Sequence, residues 1–516
     1  MHLPHGFPER LVILGGGTAG WMSAAFLDRT YNTPQRRQLE IVLVEAPAIG
    51  RIGVGEATLP TMRDFCSFLG IPEELLMQRT NATLKHGISL EGWNGPDSQL
   101  FHPFEALAPD VAINAGPSWL ARRARGTARA FYEEMGVQSR LAYAGYSPKP
   151  MMDSGGYQSR LPYAYHFDAE AFADLLKEIS LARGVVHVEG EVAEVGQTEH
   201  GDVSQLRLAD RRVIEGDFFI DCSGFAALLN QKALGTPFVS FADDLLCDRA
   251  IAMPVPYAAD EPIPPYTRAI AQSSGWRWQI GLQNRIGTGY VYSSAFQSQE
   301  SAEMELRRAL ACAGDPPARH LKFRVGRPET TWNRNVVAVG LAGGFIEPLE
   351  STSIHMIEIA LQSLVRYFPL SGINPAARDR FNIAVNERYA ELRDFIVLHY
   401  CLSTRRDTPF WREVTQASHV PESLKARLEL WRDRHPSAED FAAERYLFSH
   451  HSWQAILYGM DAADPRAIAN ADYWLGDVDG LVQQIDNAVE AAKQDLPSHM
   501  IWLQGLRSIA VNHPGW

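Results

Sequence analysis

Cysteine is scarce in this chain, and what there is forms no framework. The five cysteines (Cys66, Cys222, Cys247, Cys312 and Cys401) are scattered over 516 residues with no C-x-x-C pair. Neither a disulfide scaffold nor a zinc site is expected, and a reducing compartment, the cytoplasm, fits. His450 and His451 are adjacent rather than one helical turn apart, and H-E-x-x-H does not occur, so no metal is expected. No apolar run approaches the roughly 20 residues of a membrane span. Residues 1–10 contain no signal-peptide stretch, so no leader and no membrane anchor are expected. Positive charge is also short. With 48 Lys and Arg against 61 Asp and Glu, the net charge is −13, which argues against nucleic acid as a partner. The one basic cluster, Arg122, Arg123, Arg125 and Arg129, reads as a solvated helix face. There is no internal repeat and no low-complexity tract.

The chain is long enough to bury one large core or two that share an interface. Arg10–Leu14 reads as a buried strand, residues 19 to about 27 as a helix, and residues 41–45 as a second strand ending in an acid. Between the first strand and the helix stands Gly15-Gly16-Gly17-Thr18-Ala19-Gly20, a G-x-G-x-x-G loop. Gly15 permits the tight turn, Gly17 lets the backbone approach a pyrophosphate, and Gly20 allows close helix–sheet packing. Thr18 and Ala19 open the helix whose amides would face the phosphates. Glu45 closes the next strand at the spacing of an acid on ribose hydroxyls. This is a dinucleotide-binding βαβ unit, and the loop by itself does not separate FAD from NAD. Residues 180–225 read as alternating strands and turns that close on Asp221-Cys222-Ser223-Gly224. A proline-rich stretch (Pro254, Pro256, Pro262, Pro264, Pro265) should be irregular. The segments around residues 275–281 and 288–293 read as sheet, and the pattern after Ile354 is helical to about Tyr400 and largely so beyond.

Tryptophan is uncommon, twelve in all, yet Gly275-Trp276-Arg277-Trp278-Gln279-Ile280-Gly281 carries two at alternate positions. On an extended strand Trp276 and Trp278 share one face. Core packing is the plain reading of such a pair. Farther on, an apolar strand runs into Gly340-Leu341-Ala342-Gly343-Gly344, then Phe345-Ile346-Glu347-Pro348-Leu349-Glu350-Ser351-Thr352-Ser353-Ile354 and a helix. Amides at such a helix start are natural anion donors. Upstream lie Gly53-Val54-Gly55-Glu56-Ala57-Thr58 and Asn81-Ala82-Thr83-Leu84-Lys85-His86.

Together these segments resemble the flavin-dependent halogenases of the tryptophan/indole halogenase family, most strongly over residues 10–105 and 270–400. The resemblance implies an α/β fold. Its core is FAD-binding and monooxygenase-like, a Rossmann-type βαβ unit plus a mixed sheet, and it carries a mostly helical C-terminal substrate module. We place the FAD-binding, halide-oxidising part at 1–365, with interleaved boundaries, and the helical substrate-side module at 366–516. The implied activity uses FADH2 and O2 to turn bromide or chloride into hypohalous acid, which halogenates an electron-rich aromatic. The FADH2 would come by diffusion from a separate NAD(P)H-dependent flavin reductase, since a second G-x-G-x-x-G unit for NAD(P)H is not seen. Relatives are often dimers, which leaves a homodimer open. Other readings are a flavin-dependent aromatic hydroxylase and a non-catalytic FAD-binding protein.

By the same resemblance Lys85 is the catalytic lysine, holding hypohalous acid by hydrogen bond or reacting as a neutral amine to form a haloamine. Glu350 is the acid facing the substrate, and it is a candidate base for the ring proton. FAD is contacted by Glu56, Ala57, Thr58, Asp221, Gly224, Gly340, Leu341, Ser351 and Ile354 beside the glycine loop, and Ser351 also bridges to the catalytic side. Halide sits on the amides of Thr352 and Ser353. Trp276 and Trp278 form a barrier that keeps substrate away from the flavin. His102 and Phe104 in Phe101-His102-Pro103-Phe104, with Trp453 from the C-terminal region, line the aromatic pocket. Three positions depart from the family pattern. Gly281 stands for proline, which should loosen the end of the tryptophan wall. Ser353 stands for glycine, which should tighten the halide turn. No Tyr-Tyr precedes Trp453 to grip the amino-acid end of tryptophan. A bare indole or a larger indole-containing molecule is therefore expected over free tryptophan.

Overall fold

A computed structural model describes residues 6–33, 35–47, 55–104, 109–151, 156–258, 261–310, 316–441, 447–473 and 476–509. At its centre the strand Arg10–Leu14 pairs in parallel with Glu40–Glu45 on one side and Phe218–Asp221 on the other. Val186–Glu189 and Val336–Ala338 extend the sheet in parallel, and Trp332–Asn333 closes it antiparallel. Leu11, Val12 and Ile13 are wholly buried. A strand covered on both faces reads as a continuous apolar run, which is why it could be found from sequence. The helix after the glycine loop is longer than expected, Thr18–Tyr31. Its added turns are held by tertiary contacts: Phe7 and Phe368 pack on Tyr31.

A second sheet runs Arg319–Lys322, Arg249–Val255, Ile286–Tyr292, Gly275–Gly281, Thr267–Gln272, Gly87–Glu91, Gln99–Pro103. All its pairs are antiparallel except Thr267–Gln272 with Gly87–Glu91. Pro254, expected in irregular chain, lies inside the strand Arg249–Val255. The outer neighbour Arg319–Lys322 pairs only as far as Ala252, so Pro254 meets a strand on one side alone, where its missing N–H is tolerated.

A third, small sheet has three strands. Ala164–Asp168 takes Gly55–Ala57 on one edge and Thr83–Lys85 on the other, with Glu56 opposite Phe167 and Lys85 opposite Ala164. It brings together two motifs that are separate in sequence.

After Ile354 the chain is helical, as expected. The helices are Ser353–Tyr367, Pro375–Cys401 and five more of six to eighteen residues up to Asp495, then His499–Ser508. Position 365 falls inside the first of them. One hydrophobic cluster holds Leu11, Trp276, Phe395, Trp453 and Trp502, so the residues on both sides of that position share a core. The basic cluster is not simply solvated. Arg122 is largely buried and paired with Glu134 and Asp479, while Arg123 pairs with Asp461 and Arg129 with Asp486. Among the described residues no helix is long and apolar enough to cross a membrane.

Candidate active site

The glycine loop is shaped by contacts that exclude side chains. Gly15 has φ +120°, and a Cβ there would lie 2.2 Å from the Cys222 carbonyl oxygen. A Cβ on Gly20 would lie 1.8 Å from the Gly15 oxygen. Over Gly17, by contrast, the space is open, and the helix that begins at Thr18 has no capping side chain on its first amides. An uncapped helix N-terminus under open space is a cradle for a pyrophosphate, and the residues present therefore fit a dinucleotide. The Glu45 carboxyl packs over Gly16 at the loop mouth, 3.0 Å from His187 Nε2 and 3.5 Å from Lys177 Nζ. Thr18 spends its hydroxyl on the Ala169 carbonyl. Ala19 sits against Gly340, whose φ is +67°. Leu341 lies in the turn Gly340–Ala342.

Asp221 stands differently from the other members of this group. Its carboxylate is fully buried and accepts from the Ser223 amide and hydroxyl and from the Leu229 and Asn230 amides. It builds the turn that places Gly224, itself at φ +67° with open space beyond, and has no oxygen left for a cofactor. In the second loop Gly53 and Val54 lie outside the described residues. Glu56 follows with its carboxyl pushed by burial up to about 7. Ala57 is buried, and Thr58 pairs with Tyr165 through backbone and hydroxyl.

Lys85 is completely buried. Its Nζ donates to Ser351 Oγ at 2.8 Å and to the Thr58 carbonyl at 3.2 Å, and it lies 4.9 Å from the Phe104 ring centroid. Burial lowers its pKa from 10.5 to about 7, opposed by the charge of Glu350. At neutral pH a large share is therefore free amine. The two N–H bonds of that amine match the two acceptors, which leaves the lone pair for the third direction. Ser351 reaches Lys85 because its backbone is left-handed, φ +59°, at the end of the turn Pro348–Glu350. A non-glycine residue there stores strain, a recurrent feature of functional turns. Thr352 and Ser353 follow at the start of the helix Ser353–Tyr367, where no side chain caps the amides, and Ile354 packs into the core below. That geometry suits an anion.

Glu350 does not touch Lys85 directly. One oxygen is 2.7 Å from His102 Nδ1 and the other 2.8 Å from His399 Nε2. Burial works against its charge, but the two imidazoles prevail and hold its pKa down to about 2. His399 lies on the distant helix Pro375–Cys401 with no local motif around it, so no sequence signal marks it. Glu347, quoted in the loop but assigned nothing, is also part of the site. Its Oε2 accepts from Trp276 Nε1 at 2.7 Å and Tyr400 Oη at 2.8 Å, and burial pushes its pKa up to about 7.

Trp276 and Trp278 do share a face, with ring centroids 6.4 Å apart, and both are buried. Through Glu347 the wall is tied to the loop that carries Glu350 and Ser351. The expected loosening at Gly281 is not found. Ile263 and Tyr257 close over it, so that a Cβ would lie 2.7 Å from Ile263 Cγ2, and neighbouring side chains supply the bulk a proline would have given. Gly289 on the next strand makes room for the Trp278 indole, since a Cβ there would lie 2.0 Å from Cη2 and 2.2 Å from the Ile251 carbonyl. Gly289→Ala is expected to dislodge Trp278 and cost ~1–3 kcal/mol. Thermal unfolding and a shift in tryptophan emission check this.

Of the aromatic pocket, the structure brings His102 and Phe104 to Glu350 and Lys85. Trp453 is fully enclosed, edge-on to Phe395 and Trp431 and tilted against Phe441. Phe395 separates it from His102. Phe448 stacks on Phe395 at 4.0 Å, and its ring lies 6.1 Å from that of His102. The stretch read for the missing tyrosine pair includes residues 442–446, which lie outside the described residues.

A dinucleotide cradle, and a buried lysine of lowered pKa bonded through Ser351 to the loop before an uncapped helix start, fit a flavin-dependent halogenating enzyme. Comparison with known proteins gives the same class. The family model for tryptophan halogenase matches residues 10–472. Tryptophan 6-halogenase SttH of Streptomyces toxytricini is 38% identical over 490 residues, 90% of this chain and 92% of that protein. Among solved structures, Tar14, a tryptophan C-6 flavin-dependent halogenase (chlorinase) from taromycin biosynthesis, superposes with a TM-score of 0.89 at 37% identity, covering 97% of this chain and all of that one. BrvH, a flavin-dependent halogenase from Brevundimonas sp. BAL3, gives 0.86 at 35% identity, covering 97% and 99%. The chain belongs to the tryptophan halogenase family.

Proposed function

We propose that this protein is a two-component halogenase that takes reduced FAD from a separate NAD(P)H-dependent flavin reductase and uses O2 and bromide or chloride to halogenate an indole. The observation that carries this reading is Lys85, buried and partly neutral, anchored to Ser351 and Thr58 beside Glu350.

When bound, reduced FAD with O2 supplies the two-electron oxidation that converts halide to hypohalous acid. The glycine loop, Glu45 and the turns at Gly224 and Gly340 hold the cofactor. Glu56, Ala57, Thr58, Ser351 and Ile354 flank its reactive end. The amides of Thr352 and Ser353 hold the halide, and the Ser353 hydroxyl tightens that site. The Trp276–Trp278 wall excludes the organic substrate from the flavin, which suppresses direct hydroxylation. Lys85 receives the oxidised halogen on its lone pair and presents it beside Phe104 and His102. The aromatic surface suits a flat, electron-rich ring.

The missing tyrosine pair favours indole or a larger indole-bearing molecule. A second reading, free tryptophan, is favoured by relatives such as SttH that are named for it. One assay separates them: protein, FAD, a flavin reductase with NADH, chloride or bromide, and indole or tryptophan, read by mass spectrometry. The expected result is a halogen isotope doublet on indole in larger yield than on tryptophan. A clear tryptophan preference sinks the indole reading, and a single oxygen gain in place of halogen sinks the halogenase itself.

A further inference from the structure

We propose that His102, through Nε2, is the base that removes the ring proton of the substrate, with Glu350 and His399 as its positioning residues. This rests on the halogenase reading above and refines its last step.

The argument is one of donors and acceptors. His399 Nδ1 lies 2.7 Å from the Phe395 carbonyl, which can only accept, so Nδ1 carries a proton. Its other nitrogen faces Glu350 Oε1 at 2.8 Å. With Glu350 ionised, that nitrogen faces an acceptor as well. The second carboxylate oxygen accepts from His102 Nδ1 at 2.7 Å. That bond selects the tautomer of His102 with its proton on Nδ1 and a free lone pair on Nε2. Among the described residues Nε2 has no hydrogen-bond partner. A carboxylate bound to one imidazole nitrogen while the other acts as base is the logic of the hydrolase triads. Glu350 itself is poorly placed for the task, because both its oxygens are engaged by imidazoles.

The step balances. On the haloamine route the neutral Lys85 nitrogen takes the halogen of hypohalous acid, while the departing hydroxide takes a proton from that nitrogen and leaves as water. Nζ then recovers a proton from solvent as the halogen bonds to the ring carbon. With free hypohalous acid, the ammonium form of Lys85 gives the proton that turns hydroxide into water, and Nζ becomes the free amine. The C–H electron pair returns to the ring, and the proton passes to His102 Nε2, where the Glu350 carboxylate stabilises the imidazolium.

His102→Asn is the informative variant, because its amide can still donate to Glu350 as Nδ1 does, while nothing replaces Nε2. The experiment compares the rates of product formation from unlabelled and ring-deuterated indole, measured in separate reactions with the complete system of FAD and reductase. In wild type, halogen addition commits the ring, and the ratio of the two rates should lie near 1. In His102→Asn the proton is lost slowly, so a primary isotope effect of about 2 or more should appear with a ~10²-fold or larger fall in rate. His102→Gln should show the same effect. A ratio near 1 in both variants overturns the assignment, as does an isotope effect in Glu350→Gln without one in His102→Asn. Absence of halogenated indole from wild type instead overturns the functional reading on which it rests.

Discussion

Lys85→Ala is expected to abolish halogenated product, by at least ~10³-fold, while reduced flavin continues to be oxidised with release of hydrogen peroxide. The loss follows from position. Among the described residues Nζ is the only amine held between Ser351 Oγ and the Thr58 carbonyl, and on the proposed reading the Trp276–Trp278 wall makes the substrate depend on an oxidant passed along that route. Product mass and peroxide yield, measured together, check it, and retained halogenation would remove Lys85 from the mechanism. Lys85→Met should lose activity to the same extent yet gain stability. The pKa of Lys85 falls from 10.5 in the unfolded chain to about 7 in the folded one. The unfolded state therefore holds more protons between these values, and stability rises with pH across that window. The penalty is full at and below pH 7, on the order of 5 kcal/mol at most, and gone above pH 10.5. Methionine should recover ~1 kcal/mol or more at pH 7, and the difference in Tm from wild type should shrink toward pH 10.

Glu350→Ala should be costly to fold and function together. Its carboxylate is the acceptor for His102 Nδ1 and His399 Nε2, and all three side chains are buried. Removing one partner of a buried charged pair leaves the others desolvated and unpaired, a loss of roughly 3–5 kcal/mol. Its pKa is held near 2 in the folded state against an ordinary value of 4.5, so its contribution is present above about pH 4.5 and is lost as the pH falls toward 2. Glu350→Gln should fold better, since the amide oxygen can accept from His102 Nδ1 while its NH2 donates to His399 Nε2 free of a proton. It should still lose halogenation by ~10²-fold or more, because the compensating charge for the protonated imidazole is gone. Thermal unfolding against product yield for the two variants separates the structural part from the chemical part.

Much of the cofactor side was legible in sequence because its logic is local. A buried parallel strand, a glycine turn and a helix start within a few positions of one another, and each is fixed by short-range sterics. The same holds for the turn before Ser353, where proline and a helix signal lie close together. Asp221 shows the limit of that kind of reading. It was placed on the cofactor by its motif, but its oxygens are spent on Ser223, Leu229 and Asn230 within its own turn. Gly281 shows another limit, for the filling of its empty space by Ile263 and Tyr257 has no trace in the local pattern.

From its sequence alone this protein is determined to have a dinucleotide-binding loop, a tryptophan pair on one strand face, and a lysine and an acid in suggestive company. The tertiary structure decides what those groups are chemically. Lys85 becomes a partly neutral amine only because the fold buries it among Thr58, Phe104 and Ser351, three segments far apart in the chain. Glu350 stays ionised only because His102 and His399 converge on it from a strand and a helix far apart in the chain. Trp276 belongs to the reactive loop only through Glu347. Desolvation and hydrogen bonding depend on what surrounds a group in space, and that surrounding is assembled by the fold.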